Sequence, residues 1–437
     1  MNMVLFWFRR DIRLEDNAGL FEAAKAAEAA GVPLQCLFIF DSEILGKLED
    51  PSDLRVNFIY QAVSALKLQL QKLNADLWVL KGKPFQVFSQ LAATENVTAV
   101  YANHDYEPYA SERDQQITEI LGRAGIPFLT YKDQVIFEKD DILTAAGSTY
   151  TVFTPYKNKW LQSLTANSFK AFPSEKKLSV LAKVEPQPML TLKEIGFRES
   201  KFQFPSSKIS TAVVKNYAKN RDFPELADGT TRLGVHLRFG TISIRKVAKL
   251  AKEYSEIWLS ELIWREFFMQ VLWHNPRVAK ESFRPEFDQI KWRNDKKEFQ
   301  AWCQGKTGYP FVDAGMRELN ATGFMHNRAR MITASFLCKH LLTHWTWGER
   351  YFAQKLLDYE LAANNGNWQW SAGTGCDASP YFRIFNPETQ SKKFDPDEAY
   401  IKRWIPELKT NEYPQPIVEI NFGRGRALQA YGVVKNK

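Results

Sequence analysis

Over the first 130 positions, short apolar runs alternate with stretches of helical spacing. The runs are VLFWF (4–8), PLQCLFIF (33–40), ADLWVL (75–80), VTAVYA (97–102) and IPFLTY (126–131), with helix-like segments near 18–30, 56–74, 84–93 and 109–124. Strands separated by helices require right-handed crossovers, so the pattern predicts a doubly wound parallel five-stranded sheet. Such a sheet opens a crevice at the carboxyl ends of its strands. No G-x-G-x-x-G follows the first run, so the dinucleotide fingerprint is missing. Residues 132–205 lose the period, and AFPSEKKLSV and KVEPQPML read as a long surface connector. From 206 onward the pattern is helical, at 241–252, 255–273, 296–303, 311–320, 326–343 and 347–360. The expected organisation is an α/β domain (1–131), an interdomain connector (132–205) and an all-α domain (206–437). No repeat or low-complexity tract interrupts it.

Composition narrows the class. With 45% hydrophobic and 25% charged residues among 437, the chain has the make-up of a folded globular protein. No apolar run approaches the ~20 residues of a membrane helix. In MNMVLFWFRRDIRLEDN the apolar stretch precedes the basic one and is too short for a signal peptide, so it reads as a first core strand. Cys36, Cys303, Cys338 and Cys376 lack metal-site pairing and are too sparse for a disulfide framework, which predicts a reducing, cytoplasmic setting. The net charge of +8 is uneven: residues 1–130 carry −5 and the remainder +13. Ten of the 13 Trp lie at or beyond position 258. A basic half rich in indoles fits nucleic acid, an aromatic cofactor, or both.

Several constellations carry chemistry. In ELIWREF, Glu261, Trp264 and Arg265 sit at i, i+3 and i+4 on one helix face. Together they can bond a base edge, stack on it and hold its phosphate; a core Trp beside a surface ion pair explains the same letters. HNRARM places Asn327 and Met331 on one face with Arg328 and Arg330 beside it, where an amphipathic helix is the simpler account. In LLDYELAANNGNWQWSAGTGCD, Asn364, Asn365, Gly366 and Asn367 are expected to break a helix, setting amides beside Trp368 and Trp370. Asp358 and Glu360 precede that break. TTRLG (230–234) suits a phosphate cradle or a helix cap. YFRIFNPETQ (381–390) interleaves Arg383 with aromatic rings, as single-strand or flipped-base binders do. The six His show no zincin spacing and no nucleophile elbow is present, so hydrolysis by either route is not indicated, and no metal site is expected.

FWFRRDIRLEDN, TTRLG, ELIWREF, GKTGYPFVDAGMREL, GFMHNRARM and NNGNWQW, in that order, resemble the photolyase/cryptochrome family over essentially the whole chain. The resemblance implies an N-terminal antenna domain and a C-terminal helical domain that binds DNA and a U-shaped FAD. It assigns Tyr217, Thr230, Thr231, Arg232, Leu233 and Gly234 to the FAD diphosphate and ribityl chain. Trp258, Arg330 and Asp358 become pocket residues, the last two salt-bridged beside the flavin. Asn364 takes the place facing flavin N5, and Glu360 stands near the ring edge where the family usually has Asp.

Within the family, Glu261, Trp264, Asn327, Met331 and Trp370 match the repair pocket of class I cyclobutane pyrimidine dimer photolyases. A (6-4) photolyase is expected to have His where this chain has Asn327 and Met331. The DASH cryptochromes resemble FMSNRGRQ and NYGNWTY, and plant and animal cryptochromes usually carry a long C-terminal extension that is not expected here. The implied reaction is light-driven: FADH⁻ passes an electron to a flipped-out dimer, the cyclobutane bonds open, and the electron returns with no net redox change. Glu261 would bond the dimer carbonyl, Asn327 the base edge, and Met331, Trp264 and Trp370 would wall the lesion. Arg221, Arg265, Arg328, Arg383 and Gln390 would hold the backbone of UV-damaged DNA. Trp292, Trp345 and Trp368 match the Trp chain that photoreduces oxidised flavin. Folate-binding members resemble N-E-R-A-R-D where this chain has YASERD (109–114), so Tyr109 and Ala110 disfavour folate as antenna; a deazaflavin, a flavin or an empty crevice stay open. A cytoplasmic monomer that meets no membrane is expected. A signalling photoreceptor and a (6-4) photolyase are the competing readings, followed by a light-independent DNA-binding flavoprotein, which explains neither the pocket nor the Trp chain.

Overall fold

Each apolar run of the first 131 residues becomes a strand: β1 (Met3–Phe8), β2 (Leu34–Asp41), β3 (Leu77–Gly82), β4 (Val97–Asn103) and β5 (Phe128–Tyr131). This computed structural model describes residues 2–378, 380, 382–432 and 434. All strand pairs are parallel, in the order β3-β2-β1-β4-β5. Helices α1 (Ala18–Ala30), α2 (Leu54–Gln71), α3 (Pro84–Thr94) and α4 (Pro108–Arg123) make the crossovers. β1 and β2 bury nearly every side chain rather than alternate ones, the pattern of a sheet covered on both faces. The strand order reverses at β1 and β4, which sets the crevice there. Its rim is cross-linked: Arg9 bonds both oxygens of Asp114, and Asn103 Nδ2 donates to Asp11 at 2.6 Å.

The described residues form two compact units that interleave along the chain. One comprises Met1–Glu138, Ser163–Lys208 and Leu233–Lys252; the other comprises Lys139–Gln162, Ile209–Arg232 and Glu253–Lys437. Two segments therefore depart from the expected boundaries. Within the expected connector, α5 (Phe153–Gln162) belongs to the second unit and buries Phe153, Tyr156 and Trp160. Those three fall at i, i+3 and i+7, a helical stripe masked by the Pro and Lys around it. α6 (Thr211–Asn220) follows in the same unit. α7 (Ile244–Tyr254), expected in the helical domain, instead buries Val247, Ala248 and Ala251 with the α/β unit. Its Arg245 is the reason: the guanidinium meets Asp16 at 2.8 Å and Asp133 at 2.7 Å, both in that unit. Buried charges require such partners.

The second unit packs α8 (Glu256–His274), α9 (Pro310–Thr322), α10 (Asn327–Ser335), α11 (Trp345–Lys355) and α12 (Leu361–Ala372). The core shared by the last four holds Trp302, Phe311, Phe336, Trp345, Phe352 and Trp368. α10 runs on as a π-helical turn at Phe336–His340. The NNGN stretch corrects an expectation, since it lies inside α12 and breaks nothing. Tertiary contacts override the poor helix propensity of Asn and Gly: Asn365 Nδ2 donates to the Val278 carbonyl at 2.8 Å, and Gly366 lets the Phe268 ring approach. The break comes earlier, at Leu356–Glu360. Among the described residues, no helix is long and apolar enough to cross a membrane.

Candidate active site

In the second unit, α10, α11, α12 and the non-helical Leu356–Glu360 stretch line an open pocket. Asn327, Arg330, Met331, Asp358, Glu360, Asn364, Trp368 and Trp370 all line it, so eight of the sequence-derived site residues share one cavity. Its mix of indoles with a few polar groups suits a planar aromatic ligand.

Local chemistry sets the start of α10. His326 is its N-cap, and Nδ1 accepts the Arg328 backbone N–H at 3.1 Å. A backbone N–H only donates, so the imidazole is neutral with its proton on Nε2. Burial, reinforced by Arg328, pushes its pKa down to about 4. The His326 N–H donates to Glu318, whose Oε2 also receives the Tyr400 hydroxyl at 2.7 Å. Asn327 and Met331 follow one turn apart, with Asn327 Nδ2 and Arg328 Nη1 within 3.9 and 3.8 Å of the Met331 sulfur.

Across the pocket, Arg330 Nη2 meets both oxygens of Asp358 at 3.0 and 3.1 Å, while its Nε donates to the Met325 carbonyl. Asn364 Nδ2 donates to the Glu349 carbonyl at 3.1 Å and to Glu349 Oε1 at 2.8 Å. Because a backbone carbonyl can only accept, the amide orientation is unambiguous and Oδ1 is the part of Asn364 left for the pocket. Burial raises the Glu349 pKa. Glu360 pairs with Arg265 at 3.2 Å, both side chains being largely buried. Arg265, expected on the DNA backbone, lies behind this lining carboxylate rather than in the pocket lining itself, and a buried carboxylate needs such a cation beside it.

Trp368 packs edge-on against Phe352 at 4.9 Å and Trp302 at 6.0 Å. It lies directly on Gly348 of α11, where a Cβ would stand 2.1 Å from the indole. Trp345 is buried and stacked with His344 at 5.7 Å, and His344 also meets Trp292, at 5.2 Å.

The remaining expected residues sit outside the pocket lining. Glu261 forms a 2.5 Å ion pair with Arg221, and Arg328 forms one with Asp222, also at 2.5 Å, while stacking on Phe394. Burial works against the Arg221 cation, but Glu261 outweighs it and raises its pKa. Tyr217 and Trp258 are buried in ring contact at 6.5 Å. Thr230, Thr231 and Arg232 fall in the second unit and Leu233 and Gly234 in the first; Arg232 has a left-handed backbone (φ 50°) and stacks on Phe324. Arg383 is exposed beside the exposed Phe382, and Gln390 lies in the helix Pro387–Phe394. Tyr381, at the head of that motif, lies outside the described residues.

Sequence reasoning missed Glu349, Asp222, His326 and Phe153. Gly348–Glu349 inside WTWGER was the legible signal, a Gly and a Glu mid-helix beside Trp. Phe153 opened a helical stripe masked by Pro and Lys, and Asp222 stood in a stretch with no period to mark it.

Comparison with known proteins identifies the family. A family model described as the FAD binding domain of DNA photolyase matches residues 258–412, and one described as DNA photolyase matches residues 4–176. A deoxyribodipyrimidine photo-lyase of Halobacterium salinarum is 37% identical over 98% of this chain and 98% of its own. That of Escherichia coli is 36% identical over 99% and 98%. Among solved structures, a bacterial class III photolyase from Agrobacterium tumefaciens superposes with a TM-score of 0.87 at 31% identity, covering 100% of this chain and 98% of that one. An archaeal photolyase from Sulfolobus tokodaii with two FAD molecules gives 0.80 at 33% identity, over 99% and 100%.

Proposed function

The chain belongs to the DNA photolyase family, and from that premise we propose that it is a FAD-dependent enzyme that uses blue light to split cyclobutane pyrimidine dimers in DNA. The observation that carries the reading is a juxtaposition: the residues expected on the flavin (Arg330, Asp358, Asn364) and those expected on the lesion (Asn327, Met331, Trp370) line one cavity. A light-driven electron can cross only where donor and acceptor meet, and one pocket bearing both residue sets supplies that meeting place.

The residues fit a flavin. Indoles and Tyr359 give flat apolar walls, the Arg330–Asp358 pair is a fixed polar handle, and the Asn364 oxygen is an acceptor suited to an N–H at flavin N5. An acceptor there favours the reduced flavin, which carries that N–H, over the oxidised one. When bound in its reduced form, the flavin supplies the electron that opens the cyclobutane ring and takes it back. The protein's part is to hold and orient. Asn327 bonds a base edge, and Met331 and Trp370 exclude water from it. Glu261, ion-paired to Arg221, is a carboxylate that only accepts, so its partner is the imide N–H of a pyrimidine rather than the dimer carbonyl expected above.

The choice of class I lesion rests on Glu261, Asn327 and Met331. In the first unit, the Tyr109 hydroxyl donates to Asp41 at 2.6 Å and Ala110 is buried without polar atoms. This continues to disfavour folate, and the two FAD molecules of the Sulfolobus tokodaii photolyase support a flavin-type antenna. In this reading the protein works as a cytoplasmic monomer on UV-damaged DNA.

The decisive experiment gives photoreduced protein an oligonucleotide bearing one cyclobutane dimer. Dimers should disappear under blue light and persist in darkness. Flavin-loaded, DNA-binding protein that leaves the dimer intact in light would overturn the reading in favour of a photoreceptor, or of the (6-4) lesion as substrate.

A further inference from the structure

The ring of Phe153, first residue of α5, lies flat on Trp264 of α8, with centroids 3.6 Å apart and planes within 8°. Phe153 is 6% exposed, whereas Trp264 is half-buried. The phenyl therefore covers the indole from the core side, and the accessible part of Trp264 is elsewhere on its ring. Phe267 meets both rings edge-on, at 5.8 and 5.6 Å, and Phe268 also packs on the indole at 5.3 Å with planes 29° apart, so Phe153 is the nearer and more nearly parallel of the two stacked rings. Phe153 itself is anchored. Its N–H donates to Asp377 Oδ2 at 3.0 Å. Two turns further on, Trp160 Nε1 donates to Glu266 of α8 at 2.6 Å, which ties α5 to the helix that carries Trp264.

We propose that Phe153 is a positioning residue for lesion recognition: it fixes the plane of Trp264 so that the accessible side of the indole receives a flipped pyrimidine pair. The inference rests on Trp264 being a wall of the lesion site, as proposed above. Without the parallel Phe153 ring the indole is bounded only by the edge of Phe267 and the tilted Phe268, and it regains freedom among its staggered orientations. Stacking a base on it then costs the entropy of selecting one, whereas a ring already held flat loses nothing on binding. Intact duplex inserts no base, so its affinity is blind to the platform. The signature of this role is thus a change in lesion selectivity, separate from any change in stability.

The test compares Phe153→Ala, Phe153→Tyr and Trp264→Ala holoenzymes. Phe153→Ala should weaken binding to a dimer-bearing oligonucleotide by about tenfold, the scale of one lost aromatic stack. Affinity for undamaged DNA and the absorbance of bound flavin should stay at wild-type levels, and KM for repair should rise with kcat little changed. Phe153→Tyr keeps the flat ring and should restore selectivity. Should the Ala variant not fold, Phe153→Leu fills the volume without a flat face and should show the same loss. A Phe153 variant that melts earlier yet keeps the wild-type ratio of lesion to undamaged affinity overturns the proposal. If Trp264→Ala lowers that ratio while the Phe153 variants do not, this inference alone fails. If Trp264→Ala leaves the ratio unchanged, the lesion-wall reading fails and takes the inference with it.

Discussion

Asn364 commits both amide hydrogens to Glu349, and that commitment is what aims its oxygen at the pocket. Removing the carboxyl leaves only the Glu349 backbone carbonyl to hold the amide and should loosen its aim. Glu349→Leu is expected to let the bound reduced flavin reoxidise in air about fivefold faster, the scale of one net hydrogen bond. Glu349→Gln keeps an acceptor oxygen and should reoxidise like wild type; absorbance after the light is switched off reads both. His326 offers a pH test. Its folded pKa is about 4 against an ordinary 6.5, so the unfolded chain takes up the proton first as pH falls. The contribution is complete above 6.5 and is lost between there and about 4, amounting to about 2 kcal/mol at pH 5. His326→Asn retains a capping acceptor without titrating. Between neutral pH and pH 5 it should lose less stability than wild type in denaturant unfolding, and an identical pH slope would refute the assignment.

At the scale of helices, two glycines decide how closely α12 can pack. A Cβ at Gly348 would stand 2.1 Å from Trp368 and 2.6 Å from Leu337, and one at Gly366 would stand 2.1 Å from Phe268. None of these neighbours is a flexible chain end, so Gly348→Ala should cost about 1–3 kcal/mol by overpacking. It should also displace Trp368 and slow light-driven flavin reduction, seen as slower bleaching of the oxidised flavin under a reductant. The same contacts explain why NNGN was misread. Asn and Gly signal a break when only neighbours in sequence are considered. Here their amides are satisfied by Glu349 and Val278, 15 and 87 residues away. No local propensity reports partners at that distance.

Across the whole molecule, the charge division of −5 and +13 directs a polyanion to the C-terminal part, but pairing determines which cations remain to meet it. Arg265 is held by Glu360 inside the second unit, whereas Arg221 and Arg328 pair with the more exposed Glu261 and Asp222. Three arginines, 221, 328 and 383, are then left for phosphates. Affinity for damaged duplex should fall with salt with a log–log slope of about −3. Arg383→Ala should flatten the slope by about 1. Arg265→Ala should leave the slope in place and weaken flavin retention instead. Titrations at several salt concentrations, with the flavin content of each preparation, separate the two.

Order along the chain determined much of this protein. The alternation of strands and helices dictated the parallel sheet, because crossovers between parallel strands admit few alternatives. Spacing within single helices put Glu261, Trp264 and Arg265 on one face, and Asn327 beside Met331. The ordered motifs identified the family. Tertiary structure alone decided what covers each face: Arg245 with Asp16, 229 residues apart; Arg265 with Glu360, 95 apart; and Phe153 on Trp264. Hydrophobic period states that a face must be buried, not against what. A buried charge or ring takes whichever partner the packed chain brings within a few ångströms.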